Sequence, residues 1–505
     1  MQAFDPSDLS KTRLPIVVPF LTMCALGAVQ LYFGASAAVV ALAIFGVTVS
    51  FIPLHIFGCE IYSLFALVFG LRFLLVGILF KTLYGQPLDS HLFNPTPAYA
   101  MATLVVCLGV VVLMIARRFD PRTDFFAFPL DLAGLRKLAI GAFCFGLVCM
   151  AIVSMKDKSG AGGGNAGPLM VAATTLASLA VLGFVAEALR AVLASGGRTV
   201  MSPFLAGMFG VVLLAVLSLN MRGFLVDCLL GVALVGIIYR AINLRLIVAA
   251  TLFALFFLNF MTPLTLYMRG NKELPPAAFA ELMINTGARM AVDSDFRKVI
   301  VNTTTLAKAQ REDDDIDYDY YGNRANVENR LSFVALIDAV MNGMKGHAFV
   351  GMSAVEKAMS AIMPGFLGFT KEAVSTGDWI SWRIGLLEYP YISYLVIGVP
   401  MEAYAAWGLP GVLIYPFLFY LPVFLLLARF ASLRSATPVS IFILASFQAE
   451  IAESTSDGML NVLFRVAPVL FLSLLLLRVM LFPRLKRRSP MARMRRRSEI
   501  SSVEI

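Results

Sequence analysis

Charged residues are scarce in this sequence: Asp, Glu, Lys and Arg make up 14% of its 505 residues, while 59% are hydrophobic. A soluble domain carries roughly 25% charged residues, so this composition argues against an ordinary soluble fold. The hydrophobic residues fall into blocks of about 20, the length of helix that crosses a bilayer. The blocks are continuously apolar and do not alternate with polar residues, which argues against a membrane barrel. The composition therefore predicts an all-α, polytopic membrane protein.

Residues that bind metals and nucleotides are also sparse. The three histidines, His55, His91 and His347, are far apart, and no Cys/His pair has the spacing of a zinc site. A calcium-loop pattern that begins at Asp317 has Tyr321 at position five, where a carboxylate or amide oxygen is expected. No Walker-type phosphate loop is present, and none of the six cysteines lies between 268 and 388. We predict no metal and no other cofactor for this protein, and no disulfide in that segment.

The hydrophobic blocks predict about twelve membrane spans. They lie near residues 14–33, 36–56, 59–80, 97–116, 136–155, 168–190, 203–220, 223–240, 244–267, 408–428, 438–453 and 461–482. The first block is too long for a signal-peptide core and is predicted to remain as an anchor. The chain then divides into four parts. These are a bundle over 1–267 with about nine spans, a loop over 268–388 with short helices, a re-entrant segment with about three further spans over 389–482, and a basic tail over 483–505.

The basic residues predict the orientation of these spans. Eight of them follow the last span directly: Arg484, Lys486, Arg487, Arg488, Arg493, Arg495, Arg496 and Arg497. A basic cluster beside a span marks a cytoplasmic end. With twelve spans, the Arg-containing connections at 117–137, 240–245 and 429–434 fall on the same side. We therefore predict cytoplasmic N- and C-termini, with the loop over 268–388 on the outer face.

The basic tail also indicates which partners to expect. No aromatic-interleaved basic domain accompanies it, so nucleic acid is not an expected partner. Its clustered charge suits the anionic headgroups of membrane lipids, which are expected partners.

The loop and the segment after it contain irregular helical patterns. Residues 275–310 have helical character after two prolines, and a second helix is predicted from Asn326 to about Met344, with apolar residues at spacings of three and four. Residues 389–407 are apolar but interrupted by proline and glycine. Two interpretations of that interruption remain open. One is a re-entrant or broken helix at the mouth of a cavity, and the other is an amphipathic helix on the membrane surface.

Four arginines stand on the side predicted to face outward, where the positive-inside bias disfavours them. They are Arg222, Arg269, Arg330 and Arg383. A guanidinium is permanently charged, and its fork matches phosphate oxygens with two parallel hydrogen bonds. Several that converge on one cavity would bind a pyrophosphate. The alternative for each is a side chain that reaches lipid headgroups or pairs with a carboxylate.

Five carboxylates within or beside apolar blocks are further candidates: Asp227, Glu402, Glu450, Glu453 and Asp457. An unpaired charge that faces lipid costs at least about 2.5 kcal/mol, so Asp227, within a predicted span, is expected to face the bundle interior. Any of the five is a candidate general base if burial raises its pKa. The sequence does not choose among them.

Three short stretches carry a resemblance to a known family. The first is the outward turn at 220–223, Asn-Met-Arg-Gly, and the second is Asn-Arg-Leu at 329–331, which leads to the region 343–351. The third, at 400–411, has an acidic residue followed by two glycines three positions apart at the start of a span. With many spans and one large late loop, the chain resembles the bacterial O-antigen and exopolysaccharide polymerases (Wzy type), relatives of the O-antigen ligases. The ligases' loop histidine is not evident before Glu402, which disfavours a ligase.

The resemblance implies a GT-C-like fold and a metal-independent glycosyltransferase of the bacterial inner membrane. Such enzymes join oligosaccharide repeat units, carried on undecaprenyl pyrophosphate, at the periplasmic face. The implied partners are these lipid-linked oligosaccharides and, potentially, a chain-length regulator protein. The implied catalytic residues are Arg222, Arg330 and Glu402, with Arg269, Arg383 and Tyr404 in substrate binding.

Two other classes of protein remain open. A membrane transporter or a flippase of lipid-linked oligosaccharides also contains intramembrane charges and broken helices, although transporters commonly have repeated halves, and none is visible here. A non-catalytic assembly or receptor subunit is the third class. A loop of more than about 100 residues on the outer face suits chemistry better than the rocking of two bundles.

Overall fold

The protein is described by a computed structural model, which covers residues 15–483 except for 122, 155–167, 220–221, 244–246, 249–250, 254–255, 269–273, 275, 301–319, 322–331, 364–373, 388 and 390–396. Within these residues the secondary structure is helical, with no strand. The predicted all-α class is therefore confirmed for the described part of the chain.

Among the residues that the structure describes, seven helices are long and apolar enough to cross a membrane. They are Ala37–Phe57, Ile61–Leu83, Pro95–Arg118, Leu132–Val153, Ala172–Ala194, Leu409–Phe430 and Ser456–Leu481. Each coincides with a hydrophobic block in the sequence, so the protein is a multi-pass helical membrane protein. Shorter helices occupy four more blocks: Val17–Tyr32, Pro203–Leu219, Arg222–Ile238 and Pro438–Glu453. The block at 244–267 lies partly outside the described residues.

The remaining elements are short helices and π-helical turns. The short helices are Thr262–Tyr267, Pro276–Val292, Val334–Gly343, Ser353–Ile362, Thr376–Arg383 and Gly398–Trp407. The π-helical turns are Leu71–Leu75, Phe257–Met261, Pro416–Tyr420 and Val462–Val466. Such turns are rare and are often found at functional sites. Three of these four turns interrupt helices of membrane length.

The loop helices differ from the sequence prediction at two ends. The helical stretch predicted over 275–310 breaks after Val292, because the Asp293 carboxylate accepts hydrogen bonds from the backbone N–H groups of Asp295 and Phe296, at 3.0 and 2.9 Å, and so caps a new helix. The second helix begins at Val334, and the predicted start at Asn326 lies outside the described residues. Directly before this helix, the Phe333 N–H donates to the Arg72 carbonyl at 3.2 Å.

One end of the bundle gathers the arginine-containing connections; it is called the basic end below. The Arg117 guanidinium forms two hydrogen bonds with the Glu60 carboxylate, at 2.6 and 2.9 Å, and its carbonyl accepts from the side chain of Arg434. The Tyr239 hydroxyl, beside Arg240, donates to the Ala436 carbonyl at 2.7 Å. The described parts of these three connections therefore lie at one end of the bundle, and the side of the membrane that this end faces stays a prediction.

The opposite end, called the loop end, holds the parts of the 268–388 loop that the structure describes. The backbone N–H of Asn94 donates to Asp338 at 2.8 Å, which attaches the helix Val334–Gly343 to the bundle. Lys81 is fully buried, and its ammonium group donates to the Ser90 hydroxyl at 2.7 Å and lies 4.3 Å from the centre of the Tyr320 ring. These contacts hold the loop against the membrane-length helices.

The helix Gly398–Trp407, called the buried short helix below, occupies the segment that the sequence left ambiguous. Eight of its ten residues are buried, which disfavours an amphipathic helix lying on a membrane surface and favours a broken helix inside the protein. Gly408 turns the chain with φ of 65°, and the helix Leu409–Phe430 follows directly. The two helices approach so closely that a Cβ at Gly411 would collide with the Ala403 carbonyl oxygen.

This close approach predicts a stability difference between two glycines. Gly411→Ala should destabilise the protein by about 1–3 kcal/mol, since the added methyl group overpacks a backbone contact. Gly210→Ala is the matched control, because its Cβ would meet open space and a helical Gly→Ala change is otherwise mildly favourable. Thermal melting of both variants in detergent measures the difference. Equal melting temperatures for the two would contradict the close approach.

Candidate functional site

A cavity of about 530 Å³ lies at the loop end. The residues that line it are Ala361, Ile362, Ser375, Ala449, Glu450, Glu453, Ser454, Thr455, Asp457, Gly458, Asn461 and Arg465. Its main wall is the end of Pro438–Glu453, called the carboxylate helix below. That helix starts beside the basic end and has 16 residues, so its far end lies about 24 Å away. The start of the helix Ser456–Leu481 and the ends of two loop helices complete the wall.

The charged side chains of the lining are three carboxylates and one guanidinium. The Asp457 carboxylate accepts from the backbone N–H groups of Gly458 and Thr376, at 2.8 and 3.4 Å. The Arg465 guanidinium donates to the carbonyl oxygens of Ala361 and Ile362, at 3.2 and 2.8 Å. Arg465 thereby satisfies the last carbonyls of a loop helix, where a cation is favoured by the helix dipole. The described lining is therefore richer in negative than in positive charge.

A second guanidinium reaches the cavity wall from another helix. Arg72 lies in the π-helical turn Leu71–Leu75, inside the membrane-length helix Ile61–Leu83. Its guanidinium contacts the Glu453 carboxylate at 2.8 Å, with side-chain exposures of 14% for Arg72 and 31% for Glu453. Asp227 interacts electrostatically with the same carboxylate. An intramembrane ion pair with a partly exposed carboxylate is typical of a functional site.

Glu402 contacts Ser456, which stands between the lining residues Thr455 and Asp457. It is fully buried in the buried short helix, and the Ser456 N–H donates to its carboxyl group at 2.5 Å, while the Ser456 hydroxyl contacts the other oxygen. Ser456 begins the last membrane-length helix, so Glu402 caps the N-terminus of that helix. Burial raises the pKa of Glu402 to about 8, against the opposing effect of the two hydrogen bonds from Ser456. Burial therefore favours the protonated, neutral form of this carboxyl group.

The residues predicted from sequence are placed in different surroundings. Arg383 is exposed and stacks on the Trp379 ring at 4.4 Å from its centre, outside the cavity lining. Tyr404 is half-buried against the hydrophobic core. Arg222 begins the helix Arg222–Ile238, but its side chain lies outside the described part, as do Arg269 and Arg330. The structure therefore places Glu402 in contact with Ser456, next to the cavity lining but not part of it, and leaves the convergence of the arginines a prediction.

The sequence points to the carboxylates of this site but not to its arginines. Glu450, Glu453 and Asp457 are among the five candidate carboxylates of the sequence, and they line one cavity. Arg72 and Arg465 were missed, although a charge inside an apolar block is a signal for function in its own right. Each of these arginines lies in its own π-helical turn. Neither turn can be recognised in the hydrophobic pattern of the sequence.

Comparisons with family models, with curated proteins and with solved structures find no match for this chain. In the described part of the chain, no three His, Cys, Asp or Glu side chains are grouped to hold a metal ion. The fold and the cavity define a class: a multi-pass helical membrane protein with a polar, carboxylate-lined cavity at one end of its bundle.

The raised pKa of Glu402 predicts how stability depends on pH. The folded protein binds this proton more tightly than the unfolded chain, so the stability contributed is complete below the ordinary Glu range and is lost as pH rises towards about 8. Glu402→Gln cannot ionise, yet it retains one donor and one acceptor for Ser456. Melting temperatures from pH 5 to 8.5 should therefore fall more steeply for the wild type than for this variant. Parallel curves would show that Glu402 is ionised in the folded protein.

Proposed function

We propose that this protein polymerises oligosaccharide repeat units carried on undecaprenyl pyrophosphate. The observation that carries the proposal is the open cavity at the loop end, walled by Glu450, Glu453 and Asp457. Carboxylates only accept hydrogen bonds, and a sugar acceptor presents hydroxyl donors. The same groups suit the proton transfer that a hydroxyl nucleophile requires. The resemblance to the Wzy-type polymerases supports the same reaction.

The proposed topology has about twelve spans in a GT-C-like arrangement, with both termini in the cytoplasm. The positive-inside rule supports this orientation, because the basic end and the carboxylate-walled cavity lie at opposite ends of the bundle. The cavity then opens to the periplasmic face of a bacterial inner membrane. Lipid-linked oligosaccharides enter from the outer leaflet, and a chain-length regulator protein is a potential partner there.

In the proposed reaction, anionic and cationic groups have separate roles. A hydroxyl of the acceptor attacks the anomeric carbon of the donor sugar, and the lipid pyrophosphate leaves with the bonding electrons. Fixed cations stabilise the charge that develops on the leaving group. The described lining contains one guanidinium, Arg465, against three carboxylates, so a doubly charged head requires further cations. Arg222 and Arg330 are assigned to it, with Arg269 and Arg383 in support.

The carboxyl group of Glu402 is given an orienting role in this scheme, because it is buried and engaged with Ser456. It holds the start of the last helix and with it the neighbouring floor of the cavity. Tyr404 belongs to the same helix and is assigned to substrate binding. The reaction as proposed needs no metal and no nucleotide sugar.

A transporter or flippase of lipid-linked oligosaccharides is the second candidate. It is favoured by one observation, the Arg72–Glu453 ion pair at a π-helical turn, since paired intramembrane charges also line transport pathways. A strain that lacks the gene separates the two functions. Loss of a polymerase leaves single repeat units on lipid at the outer face, whereas loss of a flippase strands them at the inner face. Restoration of long chains by a plasmid-borne copy completes the test.

The proposed arginine roles predict the behaviour of three variants. Arg222→Ala and Arg330→Ala should each abolish polymer, with protein level and membrane insertion unchanged, because each removes a fixed cation from the leaving group. Arg289→Ala is the matched control: its side chain is 65% exposed, in a helix of the same loop, and its loss should leave the polymer intact. Gel separation of the glycans measures chain length. Full-length polysaccharide from both test variants would refute the assignment.

A further inference from the structure

The charge of Arg72 lies at a position where it is costly in free energy without a partner. It lies near the middle of a membrane-length helix, where a guanidinium costs at least about 2.5 kcal/mol without a partner. The helix is rewound there into a π-helical turn, a distortion that persists in proteins mostly where a function depends on it. A position that combines a buried charge with a local distortion is a candidate for a functional role.

The surroundings of Arg72 connect the loop to the cavity wall. Its carbonyl accepts a hydrogen bond from the Phe333 N–H at 3.2 Å, immediately before the loop helix Val334–Gly343. Its guanidinium contacts the Glu453 carboxylate at 2.8 Å. The Glu453 carboxylate lines the cavity, whereas Arg72 is not part of the lining. Arg72, which is 14% exposed, therefore holds Glu453 from outside the cavity.

Glu453 differs from the other carboxylates of the site in its surroundings. Glu402 is fully buried and engaged with Ser456. Asp457 accepts hydrogen bonds from two backbone N–H groups and from the Thr455 hydroxyl, and Glu450 is hydrogen-bonded to Ser454. Glu453 combines a fixed cationic partner with a side chain that is 31% exposed and lines the cavity.

We propose that Glu453 is the general base of the reaction and that Arg72 is the positioning residue that aims its carboxylate into the cavity. This inference rests on the proposed function. As the acceptor oxygen forms a bond to the anomeric carbon, its proton passes to the Glu453 carboxylate. The bond from that carbon to the pyrophosphate oxygen breaks, and the lipid pyrophosphate leaves with the electron pair. Glu453 then releases the proton to water.

A double-mutant cycle in purified, liposome-reconstituted protein separates positioning from stability. Arg72→Gln and Glu453→Gln should each lower kcat by about 100-fold or more, with little change in KM for the lipid-linked donor, since removal of a general base costs about 10²–10⁴ in rate. Each single variant should also melt at a lower temperature, because it removes the partner of a half-buried charge. In the double variant the melting temperature should recover, while kcat stays low. Arg72→Lys, which keeps the charge, should retain kcat within about tenfold.

The control and the contrary outcomes follow from the same assay. Lys298→Gln removes an exposed charge in the loop, with a side chain that is 74% exposed, and should leave both readouts unchanged. If the double variant regains kcat together with its melting temperature, the ion pair is structural only and the inference is wrong. If Arg72→Lys is as inactive as Arg72→Gln, the positioning role is wrong. A wild-type protein that forms no polymer would instead overturn the proposed function, and this inference with it.

Discussion

The constraint on which the structure depends is the cost of an unpaired charge in an apolar bundle. Charges inside the helices described above are held by partners in the pairs Arg117–Glu60 and Arg72–Glu453. Because charged side chains need partners, they lie towards the two ends of the bundle. Arginines with backbone and carboxylate partners gather at the basic end, and carboxylates line the cavity at the loop end. This distribution makes the two ends of the bundle different in charge.

The cavity depends on departures from regular helix. The buried short helix ends at Gly408 so that its last carbonyls, those of Ala405 and Ala406, accept from Val350 and Gly351, each at 3.0 Å. This bonds the loop to the broken helix without leaving polar backbone groups unsatisfied in the apolar interior. The π-helical turns at Arg72 and Arg465 re-aim two guanidinium groups. Irregular backbone and paired charge thus occur together around one space, as expected where a polar substrate meets an apolar bundle.

The hydrophobic blocks predicted the membrane-length helices well, because the length and composition of a span are properties of local sequence. The common side of the basic connections was also predictable, since charge asymmetry acts on each connection separately. The cavity could not be predicted in this way. At its wall Arg72 contacts Glu453, which lies 381 positions further along the chain. Only tertiary packing brings these two residues together. Gly408 and Gly411, which first suggested a family motif, also have a packing reason: a positive φ and a close helix crossing.

The central claim is that the carboxylate-walled cavity is a site of glycosyl transfer between lipid-linked sugars. The most direct measurement is the release of undecaprenyl pyrophosphate by the purified protein in liposomes that contain only the lipid-linked repeat unit. The account predicts one released lipid pyrophosphate for each new glycosidic bond, with products that grow by whole repeat units. Movement of the intact lipid-linked unit between leaflets, with no pyrophosphate released and no bond formed, would contradict the account and identify a transporter.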